Sequence, residues 1–225
     1  MNTAIQRTPL YAVAQELKAR FTDLQGWQIP EVYTAVETEV DAARQGVVLA
    51  DETPNGKLMV EGEEAEGVVT AAFDLPVLSV GFGAPADPNW IYCLRKDRFF
   101  VSTPPGEVNG ASKGLVVSDA FVTVTDMTHG QAEIRVIGPA SQDFLSKVCG
   151  LDFHASAFPN HVAKQSSVAK TSQLVIRRDI GSLPAFSLVG GQSLCVYLWN
   201  VLVEAGREWG LVPIGQAARN VLEGC

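Results

Sequence analysis

The sequence predicts an α+β fold made of two fused, pseudo-repeated half-domains with mainly antiparallel sheets. Two observations carry that prediction. The first is a stretch that occurs twice. Asp51-Glu52-Thr53, a Gly-containing turn and the alternating run Lys57-Leu58-Met59-Val60-Glu61-Gly62 return as Asp126-Met127-Thr128, a second Gly-containing turn and Gln131 to Gly138. Short solenoid repeats do not run this long, so a duplicated supersecondary unit is the better reading. The second is order: each copy continues as strand, helix, strand, strand, which segregates helices from hairpins as α+β folds do. The repeats are placed at about 47–105 and 121–206, within one domain spanning 1–225.

The elements follow from local pattern. Thr8-Pro9 opens a helix whose apolar face is Leu10, Val13, Ala14 and Leu17. Phe21 to Pro30 breaks the period and reads as an extended segment or loop. Thr34 and Glu37 have capping-box spacing, and Gly46 is a natural stop for the helix carrying Val36, Val40 and Ala43. Val47 to Ala50 is a short buried strand. After the helical run Glu63–Ala72, the Gly/Pro/Ala-rich stretch Gly81 to Pro88 predicts a surface loop. Trp90 to Arg95 and Arg98 to Thr103 form a hairpin about Lys96-Asp97; Gly106 to Lys113 is a short helix or a linker. Leu115 to Thr125, rich in Val and Thr, has strand character. In the second unit Pro139 begins a helix with Phe144, Leu145 and Val148 inward, and residues 154–165 are a loop leading to an edge strand. Leu174 to Arg177 and Ala185 to Val189 make the second hairpin. Gly190-Gly191 reads as a turn before the helix whose stripe is Cys195, Leu198, Trp199, Leu202 and Val203.

Composition excludes several functions. The chain has 225 residues, 47% hydrophobic and 19% charged, with net charge −8 and a pI near 4.9. No Lys/Arg run exceeds two, so the basic stripe that displaces counterions from nucleic acid is missing. Anionic membrane surfaces are disfavoured for the same reason. No apolar run approaches the ~20 residues needed to span a bilayer, and no secretory leader is recognisable. Cys93, Cys149, Cys195 and Cys225 are scattered without a C-x-x-C, as expected of thiols in a reducing, cytoplasmic compartment. His154 and His161 lack neighbouring ligands at zinc spacing, and no dinucleotide, P-loop or nucleophile-elbow motif is present.

Several stretches resemble a known family. Arg7-Thr8-Pro9-Leu10-Tyr11, Gly26-Trp27-Gln28-Ile29-Pro30 and Gly56-Lys57-Leu58 resemble the start of the glycine-cleavage T-protein, an aminomethyltransferase. Glu204-Ala205-Gly206, Gly210 to Gly215 and Ala218 to Leu222 resemble the end of its folate-binding region. Asp126 to Gly130 and Gly138-Pro139-Ala140 are similar to the gamma subunit of heterotetrameric sarcosine oxidase. The resemblance implies a T-protein-like scaffold holding tetrahydrofolate in a central cleft between the halves. It also implies a larger oxidoreductase or demethylase subunit as partner. The family chain continues into a C-terminal β-barrel, whereas this sequence ends at Glu223-Gly224-Cys225.

Departures from the family direct attention to particular residues. An ungapped alignment on Val175, Arg177, Phe186 and Leu188 puts Leu183 where the family's pterin-holding Glu stands. Losing a charge-assisted bond of about 1.5–3 kcal/mol weakens folate binding by about one to two orders of magnitude. Only Asp87 falls near the family's catalytic Asp. It is either the essential carboxylate or a turn residue between prolines. Trp90 and Tyr92 share a strand face and either stack on a flat ligand or belong to the core. Arg177 either clamps a ligand carboxylate or forms a structural ion pair. Asp126 and His129 invite an acid/base dyad, but strand-end Asp and Thr residues commonly cap turns. The expected function is therefore a folate- or small-ligand-binding, accessory protein of one-carbon metabolism. A folate-dependent aminomethyltransferase or methyltransferase is the alternative.

Overall fold

In the computed structural model, residues 5–115 and 121–224 are described. Their elements run β1 (Gln6–Arg7), α1 (Tyr11–Glu16), β2 (Arg20–Leu24), β3 (Trp27–Val32), α2 (Val36–Gln45), β4 (Val48–Asp51) and β5 (Gly56–Glu61). There follow α3 (Ala65–Phe73), β6 (Gly83–Ala86), β7 (Asn89–Arg95), β8 (Arg98–Thr103), α4 (Val108–Gly114), β9 (Thr123–Asp126) and β10 (Gln131–Ile137). The last are α5 (Ser141–Val148), β11 (Ala163–Val168), β12 (Thr171–Arg177), β13 (Ala185–Gly191), α6 (Cys195–Ala205), β14 (Val212–Ile214) and α7 (Gln216–Glu223).

These strands form two large sheets of matching order, β6-β7-β8-β5-β9 and β11-β12-β13-β10-β4, the second extended by β14. The fold is therefore α+β with mainly antiparallel pairing, as the sequence predicts. A small third sheet, β1-β3-β2, carries the N-terminal hairpin. Matching the sheets strand for strand reveals an exchange. β4, which leads into the first repeat, pairs with β10 of the second, with Asp51 opposite Ile134. β9, which leads into the second repeat, pairs with β5 of the first, with Asp126 opposite Leu58.

The repeated Asp-x-Thr motif locks this exchange. Asp51 Oδ1 accepts the Thr53 amide N–H, and the Thr53 hydroxyl accepts the N–H of Glu133 on the other half. Asp126 Oδ1 accepts the Thr128 amide N–H, and the Thr128 hydroxyl accepts the N–H of Lys57. Asp caps its own turn, and Thr reaches across. His129 is spent elsewhere, stacked on Trp27 at 5.4 Å. No Asp126–His129 hydrogen bond forms among the described residues.

Strand parity sorts the side chains. In the first sheet Leu58, Val60, Ile91, Cys93, Phe99 and Val101 face α3 and α4. In the second, Ile134, Val136, Val175, Phe186 and Leu188 face α5 and α6. The opposite faces meet in a cluster of Tyr92, Phe100, Ala163, Leu174, Ile176 and Val189. α2 and α7 cover the β4 end, where Val40, Ala43, Val48, Ile214 and Ala218 pack.

Some local expectations are corrected. Thr34 and Glu37 do not form a capping box: α2 starts after Ala35 with no side-chain cap. Glu39, almost fully buried, turns back instead. Its Oε1 accepts the N–H groups of Tyr33 and Thr34, at 2.6 and 2.8 Å, and its Oε2 accepts that of Gly215 at 2.8 Å. A carboxylate removed from water needs such donors, which outcompete the local box. The Gly81–Pro88 loop contains the strand β6. Pro85 is tolerated because β6 is the sheet edge, and Gly83 is required because a Cβ there would lie 2.3 Å from the Tyr92 ring. Gly190-Gly191 is no turn but the end of β13, where Gly190 opposes Ala132 and Gln173. Phe21 to Pro30 is the β2–β3 hairpin. Of the Leu115–Thr125 strand, Thr123 to Thr125 lie in β9, while residues 116–120 are outside the described residues.

Gly138 sits where β10 enters α5, with φ +127 and an added Cβ 2.3 Å from the Gly46 carbonyl oxygen and 2.7 Å from that of Ala43. Both neighbours are backbone and cannot rotate away. Gly138→Ala is expected to lose about 2 kcal/mol or more from combined strain and overpacking, read as a fall in the urea midpoint at unchanged slope.

Candidate functional site

Where the two halves face each other, a cleft of about 210 Å³ opens. β7 and β8 supply Trp90, Ser102 and Thr103; the turn before β5 supplies Asn55; the end of β12 supplies Arg178; α7 supplies Arg219 and Glu223. Pro88 forms part of the rim. Trp90 is half-buried and presents a flat wall, with the His161 ring at 4.7 Å and the Arg178 guanidinium at 5.6 Å from its centroid.

Under the cleft lies a buried ionic network. Lys57 Nζ is 3.3 Å from Glu133 Oε2 and donates to the carbonyls of Thr53 and Asn55. Since Leu58 opposes Asp126 and Ile134 opposes Asp51, Lys57 and Glu133 are equivalent positions in the two repeats. The ion pair thus lies on the pseudo-twofold axis, one repeat giving the cation and the other the anion. Beside it, Glu52 receives Arg135 and Arg219, each at 3.4 Å, and Arg219 also meets Glu223 at 3.2 Å. Arg135 donates further to Ser187 Oγ and to the Arg178 carbonyl. Burial alone would raise the Glu52 carboxyl, but the Arg135 and Arg219 guanidinium groups, helped by Arg178 and the Asn55 amide, hold it down at about 2. It is ionised and fully paired, not a proton acceptor in waiting.

The residues singled out from sequence are distributed as follows. Trp90 lines the cleft. Tyr92 shares its strand face but is fully buried between the sheets; its hydroxyl has no partner among the described residues, and burial pushes its pKa up to about 12. Arg177 has the other parity. Its guanidinium forms a two-pronged pair with Asp179, donates to the Phe158 carbonyl at 2.7 Å and lies over Phe186, on the helix-facing side of the sheet. Arg178, one residue on, turns into the cleft. Asp87 is exposed in the β6–β7 turn, beside Pro88. Leu183 is half-buried and packs with the cluster under α2 and α7. Sequence reasoning missed Asn55, Arg178, Arg219 and the charges beneath them. Parity was the available signal for Arg178, since Val175 and Arg177 both point to the helices.

No group of three or more metal-ligating side chains gathers among the described residues, and no helix there is long and apolar enough to cross a membrane.

The fold and cleft define a class: two repeats of α+β architecture, interlocked by strand exchange, with a cleft of about 210 Å³ between them. Residues 10–223 match the model of the GCVT N-terminal domain family, and the chain belongs to that family. Among its relatives are the aminomethyltransferases of Halothermothrix orenii (26% identical over 97% of this chain) and Symbiobacterium thermophilum (27% over 99%). The chain spans 64% of the length of each. Its backbone superposes on glycine cleavage system aminomethyltransferase T from Bartonella henselae with TM-score 0.82 at 16% identity, over 98% of this chain and 62% of that one. One chain of the heterotetrameric sarcosine oxidase from Corynebacterium sp. U-96 matches with TM-score 0.69 at 18% identity, over 91% of this chain and 96% of that one.

Proposed function

We propose that this chain is a ligand-binding, accessory protein of one-carbon metabolism, whose cleft takes the flat ring of tetrahydrofolate or a related heterocycle. A larger oxidoreductase or demethylase subunit is its partner in this reading, after the example of the sarcosine oxidase chain. The observation that carries the reading is a cleft with an aromatic wall but, among its described lining residues, no uncommitted carboxylate. Glu52 and Glu223 are engaged by arginines, while Leu183, which the resemblance aligns with the family's pterin-holding Glu, packs under α2 and α7 and does not line the cleft. Trp90 supplies the stacking face, and Arg178, Asn55 and Ser102 supply polar atoms around it. These groups support a flat ring in the cleft, and the arginine-bound carboxylates leave no free anionic acceptor for its N–H groups among the described residues. The cleft is also smaller than the roughly 300–1,000 Å³ of sites for drug-sized ligands, so a folate's tail lies outside it.

Calorimetric titration of tetrahydrofolate under reducing, oxygen-free conditions tests this. Saturable binding at micromolar affinity, weakened about tenfold or more by Trp90→Ala, is the expected result. Absence of heat at high micromolar ligand removes folate from the reading.

The second reading is a folate-dependent aminomethyltransferase, favoured by the names of the relatives and by Asp87 standing next to Pro88 on the cleft rim. Its test is formation of methylenetetrahydrofolate from an aminomethyl donor, with loss of the product in Asp87→Asn. Activity that is absent, or unchanged in that variant, eliminates it.

A further inference from the structure

Among the described residues, the cleft and its floor hold one cation more than their carboxylates can match. Glu133 answers Lys57, Glu52 answers Arg135 and Arg219, and Glu223 answers Arg219 again. Asp179, the acid nearest in sequence to Arg178, is committed to Arg177. Arg178 has no carboxylate partner among the described residues, although it is half-buried and lines the cleft. Its backbone is pinned on both sides: its N–H donates to Ala185, and its carbonyl accepts the buried Arg135. The side chain is thus delivered to the cleft by a rigid strand end.

A guanidinium stays charged at any relevant pH and carries its N–H donors in one plane. Arg178 Cζ lies 5.6 Å from the centroid of the Trp90 ring, so a flat ligand held beside that ring has the guanidinium's N–H donors as neighbours. In a partly desolvated site an unmatched charge is costly, and a ligand carboxylate matched two-pronged to it removes that cost. The chain as a whole carries −8, so a net positive cleft is a local property, not a consequence of overall charge.

We infer that the cleft selects a planar ligand bearing a carboxylate on its ring, with Arg178 as the specificity-determining residue. The inference rests on the reading of the cleft as a site for a folate-like heterocycle.

Calorimetry on the full chain at neutral pH and low salt, with neutral 6-methylpterin and anionic pterin-6-carboxylate, reads this out. The carboxylate is expected to bind about 10–100-fold more tightly. Arg178→Gln removes that advantage, Arg178→Lys keeps part of it, and added salt shrinks it. Arg178 makes no ion pair among the described residues, so both variants are expected to melt within a few degrees of the parent. Equal affinity for the two pterins, or an advantage that survives Arg178→Gln, overturns the inference and leaves the folate-like reading in place. If neither pterin binds but benzoate does, and Arg178→Gln abolishes it, the folate-like reading falls and anion selection stands. If none of the three binds, both fall.

Discussion

Replacing Lys57 with methionine is expected to lower the unfolding free energy by about 3–5 kcal/mol, and adding Glu133→Leu is expected to restore most of that loss. The side chains of both residues are at most 3% exposed, and the pair is held 3.3 Å apart. Removing only the cation strands Glu133 in a low-dielectric interior, where an unpaired charge costs far more than the intact pair contributes. Removing both charges leaves an apolar pair on the pseudo-twofold axis. Recovery stays short by about 1–2 kcal/mol, because the Thr53 and Asn55 carbonyls lose their Lys57 donor. Urea unfolding of the parent, both single variants and the double variant checks this as a cycle. A double variant as unstable as the two singles added together contradicts it.

Glu52→Gln is expected to cost a similar 3–5 kcal/mol at neutral pH, since it leaves Arg135 and Arg219 facing each other without their shared anion. The same residue sets a pH dependence. Its carboxyl titrates at about 2 in the folded protein against 4.5 ordinarily. A depressed carboxyl stabilises above its unfolded value and loses that contribution as pH falls through the folded one. The window is therefore from 4.5 down to about 2, and the contribution is about 3 kcal/mol. Asp51 acts in the opposite sense: burial raises its carboxyl despite hydrogen bonds from Thr8 and Thr53, so its contribution is lost as pH rises. The difference between parent and Glu52→Gln isolates Glu52. Their urea midpoints are expected to converge between pH 4.5 and 2; a constant gap across that range rules out the assignment.

How much of this was legible depended on which rule each segment obeyed. The hairpins at 90–103 and 174–189 and the helix Cys195–Ala205 follow local periodicity, and they stand where that periodicity puts them. The Asp-x-Thr repeat was visible, but not that its threonines reach across to the opposite repeat. Nothing local encodes the exchange of β4 and β9. The run Glu133-Ile134-Arg135-Val136 alternates charge and apolar side chains as a half-solvated strand does. Its charged face is in fact sealed against the other half and neutralised by Lys57 and Glu52. For that reason the floor of the cleft is not legible in the sequence, and Arg177 stands out there where Arg178 does not.

The strand exchange also constrains how the chain reaches its native state. Each large sheet takes an interior-lying or edge strand from sequence on the far side of a repeat, so neither can be completed until segments as distant as Asp51 and Ile134 have met. Such non-local pairing defers its reward until a long loop has closed, which slows folding. It also ties the repeats into a single cooperative unit. A fragment stopping after α4 would leave β5 with an unsatisfied edge where β9 belongs, an invitation to pair with another chain. Shortening the protein at its apparent internal boundary is therefore expected to yield aggregate rather than half a binding site.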